Sequence, residues 1–266
     1  MLTAKNKMRT GASLVIALLG SMIAACSLSS STPGRVSARA PNIDTVPYDK
    51  LGASIRLGRK LVQATPVYAR RYTGNELSCA DCHLKDGTQA YAAPFAGLSG
   101  DFPAWNQRAG KVITLAERVE ECFVRSENGR PLPADGRRMT ALLAYMQWLS
   151  RDVPAGKTVQ GRGFSPLPPP AAAPNPAAGQ HTYRVICAAC HGPQGGGEPP
   201  RIPPLWGPGS YNQGAGMNQI ATMAAFVARW MPANQPGSLS PQQAYDVAAY
   251  IHGKPRPKLA PQYRSY

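Results

Sequence analysis

At 266 residues the chain is long for one typical domain and holds two small ones, while 43% apolar content permits folded cores alongside 26 glycines and 27 prolines. The formal charge of +15 raises nucleic acid or anionic lipid as partners. The basic residues are dispersed along the chain and form no single run, which argues against nucleic acid and for small anions or an acidic partner.

Lys5, Lys7 and Arg9 precede an apolar stretch at 14–23 that is short for a membrane span, the pattern of an export signal over residues 1–25. It ends in Ile23-Ala24-Ala25-Cys26. Small residues directly before a cysteine look like a bacterial lipobox, which predicts Cys26 as the lipidated first residue, an incidental cysteine being the alternative. Ser27 in place of an aspartate favours the outer over the inner membrane of the periplasm. Residues 26–42, rich in Ser, Pro and Ala, read as a lipidated, poorly ordered tether to the membrane.

A first domain is expected over 43–160, opening with a helix on which Leu51, Ile55 and Val62 share a face. Cys79-Ala80-Asp81-Cys82-His83 follows, and Cys187-Ala188-Ala189-Cys190-His191 repeats its pattern. C-x-x-C-H places two thiols at the haem vinyl groups and an imidazole under the iron, so the chain carries two covalently bound haem c groups. Cys79, Cys82, Cys187 and Cys190 are the attachment residues, with His83 and His191 as iron ligands. With Cys26 lipidated, only Cys122 remains, and it has no partner for a disulfide.

Arg108 lies in a loop after Phe102-Pro103-Ala104-Trp105, and residues 112–126 read as a helix. On it Arg118, Cys122 and Ser126 recur every four residues and share one face, with Arg125 nearby. No methionine lies between His83 and Met139, which leaves Cys122, 39 residues after His83, as the candidate distal ligand of the first iron. A buried, inert cysteine is the alternative. Thiolate ligation donates electron density and favours ferric iron. Guanidinium groups beside a thiol stabilise its anion and bind oxyanions, though they could equally pair with haem propionates.

Met139, Leu142, Leu143, Met146 and Leu149 mark a closing helix whose methionines are core residues. Residues 161–178 read as an extended Pro-rich linker containing Pro166, Pro168, Pro169, Pro170, Pro174 and Pro176. The second domain, 179–266, closes with Ala244, Val247, Ala248 and Ile251 at helical spacing. Met231, 40 residues after His191 and followed by Pro232, is the candidate distal ligand there, with Met217 in reserve and Met223 fitting less well. His181 and His252 are read as surface residues. The fold class expected is mainly α, two tandem class I cytochrome c-like domains joined by the Pro-rich linker.

Most of residues 45–255 resembles the dihaem thiosulfate dehydrogenases that form tetrathionate, most specifically at Glu117-Arg118-Val119-Glu120-Glu121-Cys122-Phe123-Val124-Arg125-Ser126-Glu127-Asn128-Gly129-Arg130. The resemblance implies that Cys122 is both iron ligand and reactive sulfur. It also implies that Arg108 and Arg118 hold the substrate dianion, that Ser126 hydrogen-bonds it, and that the second haem passes electrons to a periplasmic or membrane cytochrome or oxidase. Some relatives place a lysine before the distal methionine; here Trp230 precedes Met231, so ligand exchange with that neighbour is not expected. The alternatives are a lipid-anchored dihaem electron carrier without substrate chemistry and a sulfur-carrier cytochrome subunit that needs a partner chain. A dihaem peroxidase has no accompanying signature.

Overall fold

The computed structural model describes residues 35–37, 40–154 and 156–264. The export signal, the lipobox and Cys26 lie outside the described residues. Arg35–Val36 (β1) falls inside the segment expected to be a poorly ordered tether, yet it pairs in parallel with Thr158–Val159 (β4).

The first helix, Lys50–Gln63 (α1), begins where the Asp49 carboxylate accepts the Gly52 N–H at 2.7 Å. Ile55 and Val62 are buried as the spacing requires, but Leu51 is 58% exposed because the returning chain at Val46 and Pro47 covers Gly52 instead. Thr65–Ala69 (α2), the Cys79–Asp81 turn, the short distorted Leu84–Gly87 (α3) and the antiparallel hairpin of Ala104–Asn106 (β2) with Lys111–Ile113 (β3) follow.

Leu115–Arg125 (α4) starts later than the 112–126 reading. Residues 111–113 are committed to the hairpin, and Thr114 caps the helix by accepting the Glu117 N–H at 3.2 Å while the Glu117 carboxylate accepts the Thr114 N–H at 2.7 Å. Arg137–Ser150 (α5) buries Met139, Leu142, Met146 and Leu149 against α1.

The Pro-rich stretch is not extended to its end. Pro176–Thr182 (α6) begins inside it, because Asn175 accepts from the N–H groups of Ala177 and Ala178, and Pro176 occupies a first-turn position where a missing N–H costs nothing. A π-helical turn over Tyr183–Cys187 leads into Ala188–His191 (α7). Ile220–Trp230 (α8) and Pro241–His252 (α9) complete the second module, with Ala244, Val247, Ala248 and Ile251 buried on α9. His181 and His252 are exposed.

The internal repeat has a packing signature. Opening and closing helices cross at a glycine in each module: a Cβ on Gly58 would lie 2.1 Å from the Ala141 carbonyl oxygen, and one on Gly179 would lie 1.9 Å from that of Asp246. Each crossing brings backbone to backbone, so neither site tolerates a side chain.

Candidate active site

The two C-x-x-C-H turns are prepared alike. His83 Nδ1 hydrogen-bonds the Ala93 carbonyl at 2.6 Å and His191 Nδ1 that of Pro203 at 3.0 Å. Donation from Nδ1 leaves the Nε2 lone pair for a metal. Burial drives the imidazole of His83 down to about 4 and lowers that of His191, which favours the neutral form a metal ligand needs. None of the five described cysteines is in a disulfide.

A cavity open to solvent lies over the first turn. Cys79, Cys82 and His83 form one wall, and apolar side chains including Phe95, Leu142 and Met146 form others. Glu127 also lines it, 2% exposed, with one carboxylate oxygen lacking a hydrogen bond and the other 4.0 Å from Cys79 Sγ. Burial, then the charge of Asp81, holds the Glu127 carboxyl well above its ordinary value. Paired thiols, an oriented imidazole and apolar walls fit a covalently attached macrocycle.

Cys122 and Ser126 line the same cavity, carried there by α4. Arg118 Nη1 donates to Cys122 Sγ at 3.2 Å, and the Arg118 side chain remains 44% exposed, open to an incoming solute. Proximity to the Cys122 sulfur is the first cause holding the Arg118 guanidinium above its ordinary value. Arg108 sits in the β2–β3 turn, where its Nη1 donates to the Gly214 carbonyl at 3.4 Å; the buried Arg125 reaches the same oxygen at 3.3 Å. Burial and then the proximity of Arg108 push the Arg125 guanidinium below its ordinary value. Arg118 therefore holds Cys122, the one described cysteine outside the haem-binding motifs, while Arg108 and Arg125 stand together at the Gly214 carbonyl.

The second module completes this cavity. Tyr211 and Met217 line it, and Met217, held in reserve for the second iron, also packs against the second core. Met231 ends α8 half-buried against the second core, and Met223 is buried within that core. Trp230 is engaged elsewhere, its Nε1 donating to the Tyr91 carbonyl of the first module at 3.2 Å. Sequence reasoning gave Tyr211 and Glu127 no role and named Met217 only for the second iron, because Tyr211 and Met217 reach this cavity from the other module and carry no periodic signal. Proximity in sequence to the Cys122 helix could have drawn attention to Glu127 alone.

Fold and site together define a dihaem c-type cytochrome whose first module holds a cysteine among arginines at the haem cavity. Residues 63–155 match the family described as SoxA/TsdA, cytochrome c domain, and residues 174–251 match cytochrome C oxidase, cbb3-type, subunit III. The thiosulfate dehydrogenase of Allochromatium vinosum is 42% identical over 234 residues, 85% of this chain and 86% of that protein. The one from Thiomonas intermedia is 39% identical over 222 residues, covering 82% and 71%. The solved thiosulfate dehydrogenase TsdBA of Marichromatium purpuratum, in its as-isolated form, superposes with a TM-score of 0.80 at 38% identity over 86% of this chain. This chain spans 50% of that one. The chain belongs to the thiosulfate dehydrogenase family and carries two covalently bound c-type haems.

Proposed function

We infer that this protein joins two thiosulfates into tetrathionate at the Cys122 cavity. One observation carries the reading: the Cys122 sulfur, held by Arg118 at 3.2 Å, shares a cavity with the oriented His83 imidazole. The site roles proposed are Cys122 as distal iron ligand and reactive sulfur, Arg108 and Arg118 as cations for the dianion, and Ser126 as a hydrogen-bond donor to it. His83 and His191 would hold the two irons, and Met231 would serve as the further ligand of the second haem.

Bringing a dianion to a thiolate opposes like charges, and the fixed guanidinium groups offset that repulsion. Thiosulfate joins the Cys122 thiolate as a Cys–S–S–SO3⁻ adduct with loss of two electrons. A second thiosulfate then attacks the adduct, forming the central sulfur–sulfur bond, releasing tetrathionate and restoring the thiolate. Haem held by Cys79, Cys82 and His83, and by Cys187, Cys190 and His191, would supply the capacity for those two electrons. A carrier without substrate chemistry is the weaker reading, because the relatives matched are thiosulfate dehydrogenases.

The finer organisation is proposed as well. Residues 1–25 direct export, Cys26 carries the lipid, and 26–42 tether the protein to the periplasmic face of the outer membrane. The first cytochrome domain spans 43–160 and the second 179–266, joined by 161–178. A periplasmic or membrane cytochrome or oxidase receives the electrons. Among the described residues no helix is long and apolar enough to cross a membrane, and the lipid on Cys26 would supply the attachment.

The test is a thiosulfate-dependent ferricyanide reduction assay on purified protein. Cys122→Gly should abolish turnover while both haems remain attached. Full activity in that variant refutes the assigned role.

A further inference from the structure

Glu121 precedes the reactive cysteine, and its carboxylate is only 4% exposed. A buried negative charge at a site for dianions opposes substrate, so it must be offset by what it organises. Its two oxygens have separate partners. Oε2 pairs with Arg118 Nη1 at 3.3 Å, the same nitrogen that donates to Cys122 Sγ. Oε1 accepts from Asn106 Nδ2 at 3.0 Å. Asn106 in turn uses Oδ1 to accept the backbone N–H groups of Arg108 at 2.9 Å and Ala109 at 3.0 Å, which fixes the β2–β3 turn.

We propose that Glu121 is a positioning residue for both substrate arginines, holding Arg118 directly and the Arg108 turn through Asn106. The inference rests on the site reading above and adds to it how the cationic pocket keeps its shape. Neither arginine is pre-ordered by its own backbone alone. Arg118 is a long side chain half open to solvent, and Arg108 rides on a turn at the tip of a two-stranded ribbon. Ordering both before substrate arrives removes an entropic cost that binding would otherwise bear.

The sign of the effect separates this role from plain electrostatics. Glu121→Gln removes one negative charge from the pocket, which by charge alone would tighten dianion binding and lower KM. Loss of positioning acts in the opposite direction. Losing a hydrogen-bonded charge pair predicts a KM for thiosulfate raised about tenfold. In that variant kcat should change less than about twofold, since the Cys122 chemistry is retained. Both haems should stay attached with an unaltered first-haem spectrum. Asn106→Ala, which frees only the turn, should raise KM about fivefold.

In an Arg118→Ala/Asn106→Ala background both arms are gone, and adding Glu121→Gln should no longer lower kcat/KM, since only the charge effect is left. An unchanged or lowered KM in Glu121→Gln overturns the proposal, as does a tenfold effect that persists in the double-variant background. Should Glu121→Gln fail to incorporate haem, Asn106→Ala decides alone: a raised KM supports the proposal and an unchanged one overturns it. Wild-type turnover and its loss in Cys122→Gly, measured on parallel preparations, judge the site reading independently.

Discussion

Asn212 fastens the second module onto the catalytic helix, and removing its side chain should disturb stability and substrate binding together. The residue is 1% exposed. Its Nδ2 donates to the Val124 carbonyl at 2.7 Å and to Asn128 Oδ1 at 3.1 Å, while Oδ1 accepts the Gly214 N–H at 2.9 Å. Val124 lies near the C-terminus of α4, where carbonyls have no partner within the helix. Asn212→Ala deletes three hydrogen bonds, and at about 1 kcal/mol each the loss is roughly 3 kcal/mol. For a chain of this size that lowers Tm by roughly 6–12 °C. Gly214, whose carbonyl accepts from both Arg108 and Arg125, loses its anchor, so KM for thiosulfate should rise several-fold while both haems stay attached. Calorimetry of the purified holoprotein and steady-state kinetics read the two effects. A Tm within about 2 °C of wild type, together with an unchanged KM, would refute the view that this contact organises the cavity.

Two further perturbations probe the scaffold. Gly58→Ala forces a methyl group into the Ala141 carbonyl and against Tyr145 Cβ, and should cost about 1–3 kcal/mol; a denaturation midpoint equal to wild type would contradict the close crossing of α1 and α5. Thr114→Ala should cost about 1 kcal/mol through the lost helix cap, measurable by the same denaturation. The Glu117 carboxylate, held below its ordinary 4.5 by the Thr114 N–H and then by Lys111, stabilises the fold above that value and loses its contribution as pH falls through the depressed one. The Tm gap between wild type and Glu117→Gln should therefore shrink with acidification, and a constant gap would contradict the assignment.

Much of the architecture is legible in local pattern. The C-x-x-C-H turns announce covalent haem because thiol and imidazole spacing is itself the chemistry, and the closing helices declare their buried faces through a 3.6-residue period. Four-residue spacing likewise puts Arg118, Cys122 and Ser126 along one side of α4. Local pattern failed where a neighbour decided. The helix reading of 112–126 ran too far back because two three-residue strands leave almost no trace in sequence, and the extended reading of the Pro-rich stretch overlooked Asn175 as a cap that lets Pro176 open a helix.

Haem stoichiometry, the repeated helix pairs and the spare cysteine at position 122 followed from the amino-acid sequence by itself, because each depends on local pattern within a few turns of chain. The assembled pocket did not. Tyr211, Met217 and the Gly214 carbonyl come from the second module to the cavity of the first, and Glu121 becomes meaningful only once Asn106 and Arg118 converge on it. Such contacts depend on where folded modules meet, and side-chain convergence over long sequence separation has no period to read.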